Sequence, residues 1–176
     1  MIRSLRSAVA CSIALAAVST LGDFVWASWI HDHRTLFGLA HGALLGAALG
    51  LALGLVRGRP AAGALYGMLI VLLAACGFYA LYSLMGYSAM FVAWMGLWMG
   101  FGALGGRGLS SLHSLREALV RGGLAALGSG LAFYSVSGIW THFDPASIDY
   151  PYHLLCWTIA FLPGFLALLL ERNSGS

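Results

Sequence analysis

Residues 37–58 read FGLAHGALLGAALGLALGLVRG, with glycine at 38, 42, 46, 50, 54 and 58. In a water-exposed helix each glycine would cost about 1 kcal/mol relative to alanine. In a bilayer that penalty matters less, because backbone hydrogen bonds are hard to break in lipid. Membrane helices associate by close packing, and small residues let two backbones approach. Residues four apart advance by about 400°, so each glycine sits some 40° round from the last and the ladder traces a slanted groove. The segment is therefore read as a membrane span that packs through Gly38, Gly42, Gly46, Gly50 and Gly54. Gly63–Gly67 and Gly96–Gly100 repeat the spacing further along. A lipid tail or sterol ring lying against bare backbone is a second use for the same groove.

The rest of the chain agrees with a membrane setting. Of its 176 residues 60% are hydrophobic and 9% charged, with mean hydropathy +0.87. A soluble domain carries about 25% charged residues, so there is too little polar surface here to cover a water-soluble globule. Apolar runs near 20 residues match the length needed to cross a bilayer. Six spans are expected, at 7–30, 35–56, 61–84, 88–104, 119–139 and 152–170, separated by HDHR, RGRP, MGY, a long polar loop GGRGLSSLHSLRE and THFDPASIDYP. The expected fold is all-α: one polytopic six-helix transmembrane bundle over residues 1–172, with NSGS at 173–176 read as an added tail.

Charge gives the direction. The formal charge of +3 comes from arginine, with no lysine. With a cytoplasmic N-terminus, Arg3, Arg6, Arg57, Arg59, Arg107, Arg116, Arg121 and Arg172 fall inside and Arg34 alone outside. Such an imbalance in short loops reports membrane orientation, not nucleic-acid binding. Both termini are then cytoplasmic, and a bacterial inner membrane is the expected location. A cleaved signal peptide at the N-terminus is the rival reading, but the apolar run continues to Ile30, past the usual 7–15 residues. Cys11, Cys76 and Cys156 all fall inside apolar runs and read as small packing residues.

Two strongly polar side chains lie well inside spans. Span one runs outward, which puts Asp23 about seven residues, or ~10 Å, below the outer edge. Span two runs inward, which puts His41 about six residues, or ~9 Å, below the same edge. A four-residue turn joins the two spans, so the carboxylate and the imidazole are expected at one depth. An intramembrane ionisable residue is a functional candidate by default; a structural hydrogen bond between helices is the alternative. Trp26, Trp29, Trp94, Tyr134, Ser135, Ser137, Trp140 and Trp157 share this outer half, several of them as an interfacial belt. Asp23, Trp26, His41, Trp94, Trp98 and Tyr134 are the candidate ligand-binding residues, set around a cavity lined by spans one, two, four and five.

Other chemistry has less support. The outer loops hold His31, His33, His142, His153, Asp32, Asp144 and Asp149, residue types that suit zinc, but no helical metal motif accompanies them and no metal or other cofactor is expected. A bis-histidine haem needs two histidines facing each other inside the bundle, and only His41 is well inside. No nucleophile elbow or phosphate-cradling loop beside a lysine is present, and the two halves show no repeat of the transporter kind. Arg107, Arg116 and Arg121 are placed to touch anionic headgroups.

The order of segments resembles the Insig (insulin-induced gene) family: six spans, short loops and a long cytoplasmic loop, GRGLSSLHSLRE, before the fifth. The final hairpin, LAFYSVSGIWTHFDPASIDYPYHLLCW running to LLLER, is the nearest local likeness. FGLAHGALLG lies where that family has a small-residue second span, although the prolines found there are absent and His41 appears instead. The resemblance implies a non-enzymatic bundle that binds sterol-like or diacylglycerol-like lipids between helices and acts on a membrane-protein partner. The expected function is thus lipid binding or sensing, with homo-oligomers formed through glycine faces. The alternative is a lipid-modifying enzyme that uses the Asp23–His41 pair, with or without a metal on the outer face.

Overall fold

The computed structural model describes residues 2–29, 34–104, 115–137 and 150–169, and side chains within 5–25, 35–104, 116–136 and 150–169. Six α-helices are described: α1 (Ile2–Trp29), α2 (Arg34–Val56), α3 (Pro60–Met85), α4 (Ala89–Leu104), α5 (Leu115–Ser137) and α6 (Tyr150–Leu169). Among the described residues there is no strand. Five stretches are long and apolar enough to cross a membrane; one of them, Pro60–Leu104, contains both α3 and α4. A straight helix of its 45 residues would be about 68 Å long, twice a bilayer's hydrocarbon thickness. The chain instead folds back at Gly86, whose φ of 56° opens a single 3-10 turn over Gly86–Ser88. Gly100 then meets Ile70, and Gly96 faces Ala74, as two antiparallel helices require.

The outward faces of the helices carry Leu36, Leu44, Leu73 and Leu84, each more than 60% exposed. An apolar exterior of this extent suits a membrane-embedded protein and would be an aggregation liability in water. Polar small residues turn inward instead. Ala8, Ser12, Ala16 and Ser19, three or four apart on α1, are wholly buried, and α1 has its main partner in α6.

The most extensive pairing joins α2 to α3, and the glycine ladder makes it. A methyl group on Gly46 would collide with the Gly67 carbonyl oxygen, and one on Gly50 with the Gly63 carbonyl oxygen. Methyl groups on Gly63 and Gly67 would in turn strike Gly50 and Gly46. The two backbones are thus interlocked, glycine against glycine. Gly54 faces Arg59 and Pro60 at the turn, while Gly42 packs on Ala75 and Val71. The sixth glycine is not a rung. Gly58 lies past the end of α2 at φ 71°, where the Arg59 N–H donates back to the Gly54 carbonyl at 2.8 Å, the hydrogen bond of a glycine-terminated helix.

Large aromatic side chains fill the space between α4, α5 and α6. Trp98, Phe101, Phe161 and Phe165 are essentially inaccessible. The Trp98 indole lies directly over Gly164, where a methyl group would overlap it. Gly164 follows Pro163, and its N–H donates to the Ser129 hydroxyl of α5 at 2.9 Å. Two turns earlier on α5, Gly122 lets its backbone approach Gly102 of α4. With these small residues, α5 is spent on packing α4 to α6.

Candidate functional site

Helix order around the bundle runs α2, α3, α4, α5, α6, α1, and α1 touches α2 far less than its other neighbour α6. Between these helices lies a cavity of about 260 Å³. Its floor and walls are apolar. Gly42 and Leu45 come from α2, Val71, Ala74, Ala75 and Phe78 from α3, and Met90, Ala93, Trp94 and Leu97 from α4. Phe161 closes it from α6. The polar lining residues are Asp23, His41, Tyr79 and Trp157.

Those four come from four helices. Trp157 Nε1 donates to Asp23 Oδ2 at 2.7 Å, a bond that ties α6 to α1 across 134 residues of sequence. His153, one turn before Trp157 and 4% exposed, brings its Nδ1 to 3.6 Å from the same carboxylate oxygen. That distance is too long for a hydrogen bond. About a third of the Asp23 side chain stays accessible. The His41 ring lies against Gly22, the residue before Asp23, where a methyl group would occupy the ring's own position. It stacks on Phe37 one turn back, with centroids 5.9 Å apart and planes at 14°. The Tyr79 hydroxyl rests on Gly38. Glycine 22 thus seats the imidazole beside the carboxylate, and glycine 38 seats the phenol.

The sequence-derived residues divide accordingly. Asp23, His41 and Trp94 line one cavity. Trp98 does not: it is buried beneath Trp94, stacked with it at 6.3 Å and set edge-on to Phe165. Tyr134 does not either; it packs among Phe91, Phe133 and Tyr87 on the α4–α5 side. The side chain of Trp26 lies outside those described, as do those of Trp29 and Ser137, and Trp140 lies outside the described residues. The expected walls, spans one, two, four and five, need correcting. The lining comes from α1, α2, α3, α4 and α6, because α5 is committed to the α4–α6 contact.

Sequence reasoning missed His153 and Trp157 as the groups next to Asp23. Depth alone was suggestive only for Trp157, seven residues into α6; His153 is three residues in, and that α6 lies against α1 is a property of the assembled bundle. The outer-loop residues His31, Asp32, His33, His142, Asp144 and Asp149 lie outside the described residues. Among the described residues no group of three metal-ligating side chains is found.

Comparison of the chain with known protein families, characterised proteins and solved structures gives no match.

Proposed function

We propose that the chain is an integral membrane protein that binds an uncharged, hydroxyl-bearing lipid of the diacylglycerol or sterol class without transforming it. All six helices cross the membrane in this reading, with both termini cytoplasmic. The arginine bias supports that orientation, and so does the fold: Arg57 and Arg121 lie at one end of the bundle and the cavity's polar groups toward the other.

The observation that carries the proposal is the composition of the cavity: an apolar body with Asp23, His41, Tyr79 and Trp157 as its polar groups. An ionised carboxylate only accepts hydrogen bonds, whereas an imidazole offers an N–H. A hydroxyl group both donates and accepts, so it satisfies Asp23 and His41 together. A phosphate headgroup would meet the carboxylate as a like charge and be disfavoured. Ligand pockets usually measure about 300–1,000 Å³, so the 260 Å³ found here accommodates a small head and the first carbons of a tail, with the remainder in the bilayer. The Insig-like order of segments points to the same lipid class. None of the described lining residues is Ser, Thr or Cys, so among them the Asp–His pair has no hydroxyl or thiol nucleophile of the kind acyl transfer uses, which favours binding.

Lipid extraction from the purified protein followed by mass spectrometry tests this. A neutral hydroxyl lipid near one per chain is expected. Ala93→Leu, which puts three more carbons into the cavity, should release it while the far-ultraviolet spectrum stays helical. A wild-type preparation that carries no neutral lipid, and takes up none from mixed micelles, overturns the proposal.

A further inference from the structure

At the opposite end of the bundle a second polar feature stands apart from the cavity. Arg57 follows the last residue of α2 and precedes Gly58 in the turn to α3. Arginines at membrane edges ordinarily snorkel, lying along the apolar surface with the charged head in water. Arg57 does so only in part. Its side chain is half-buried, and Nη1 is shut off from solvent with no hydrogen-bond partner among the described residues. Buried polar groups are normally satisfied, and an unpaired buried charge is costly. A bound counter-group is the simplest remedy.

The neighbourhood fits an anion. Burial first, and then the charge of Arg121 on α5, push the Arg57 pKa down. Arg121 itself is only 14% exposed and bonds Glu117 through Nη2 at 3.2 Å. A guanidinium with one buried, unsatisfied N–H thus lies within electrostatic reach of a second guanidinium. Guanidinium forks match phosphate oxygens bidentately, and basic pockets between membrane helices on the cytoplasmic side are suited to anionic headgroups. A soluble phosphate offers the same oxygens.

We infer that Arg57 and Arg121 form a phosphate-binding site between the α2–α3 turn and the start of α5, with Arg57 Nη1 as the buried donor. The site is independent of the neutral-lipid cavity, so either can fail without the other. It makes the molecule responsive to the anionic fraction of the membrane or to free phosphate.

The test is thermal unfolding, followed by tryptophan fluorescence, of the full chain in nanodiscs. One set contains phosphatidylcholine alone and another adds 30% phosphatidylglycerol. A third contains phosphatidylcholine with millimolar inorganic phosphate at matched ionic strength. Stabilisation by several degrees in the second set assigns the site to a lipid headgroup, and in the third to free phosphate. Arg57→Gln should abolish the shift, and Arg6→Gln, an exposed arginine on α1, should keep it. Should Arg57→Gln fail to fold, Arg121→Gln takes its place and should reduce the shift at least twofold. Equal midpoints in all three media, or a full shift retained in Arg57→Gln or in its Arg121→Gln replacement, overturns the inference.

Discussion

Asp23 is the residue on which the polar cluster turns, and its two α6 neighbours act differently. Trp157 supplies a hydrogen bond at 2.7 Å; His153 supplies proximity at 3.6 Å. Trp157→Phe removes the donor and leaves a half-buried carboxylate to find another. Such a loss is worth about 1–3 kcal/mol, read as a lower unfolding midpoint in detergent. Asp23→Asn keeps an acceptor for the Trp157 N–H and should cost less. A larger loss for Asp23→Asn than for Trp157→Phe would mean that the charge, not the hydrogen bond, secures α1 to α6. Gly22→Ala addresses the other side of the site. Its methyl group would displace the His41 ring, so neutral-lipid retention should fall more than stability does, measured as lipid per chain against unfolding midpoint. Nothing in the string of residues marks Gly22 as special. It matters because the residue across from it is a histidine, and that pairing exists only once α1 and α2 are assembled.

At the scale of the helix, the α2–α3 interlock makes a graded series. Gly46→Ala and Gly50→Ala put a methyl group into a carbonyl oxygen of α3, so the helices must part, at a cost of about 1–3 kcal/mol each. Gly77→Ala, on the same α3 but with no neighbour in reach, should be neutral or mildly stabilising, by up to ~1 kcal/mol. Gly58→Ala meets open space but keeps φ at 71°, and should cost about 1–2 kcal/mol through backbone conformation alone. Reversible unfolding in mixed micelles would rank the four. The ladder was legible in the sequence because spacing by four is a property of one helix. So were the helix positions, since apolar runs ended by arginine, glycine or proline placed the ends of α2, α3 and α4 within a residue or two. Lateral partners were not legible. Chain adjacency put Asp23 and His41 at one depth, and both line the cavity. What adjacency could not show is that closure of the bundle also brings α6 against α1, so that the carboxylate bonds a tryptophan 134 residues away. The same closure explains why α5, glycine-bearing like a cavity wall, became a spacer: Gly122 and Ser129 are used by α4 and α6.

For the whole molecule, the outstanding matter is how the bundle sits in a membrane, and the α3–α4 hairpin decides it. At 26 residues α3 is about 39 Å long, more than the ~30 Å of a hydrocarbon core. With 16 residues, α4 is about 24 Å and falls short of it as described. If both cross, the Gly86 and Gly58 turns lie on opposite faces, and the proposed orientation puts Gly86 outside. If α4 re-enters without crossing, α5 and α6 invert, and Arg121 no longer shares a face with Arg57. Their electrostatic proximity at one end of the bundle argues for the crossing. Site-directed labelling checks it in a background where Cys76, the exposed native cysteine, is replaced by alanine; Cys11 and Cys156 are buried. In intact spheroplasts a membrane-impermeant maleimide should modify Tyr87→Cys at once and Arg59→Cys only after permeabilisation. The opposite pattern would invert the protein. Modification of both from one side would remove α3 as a crossing, and with it the placement of Asp23, His41 and Trp157 at a shared depth beneath the outer surface.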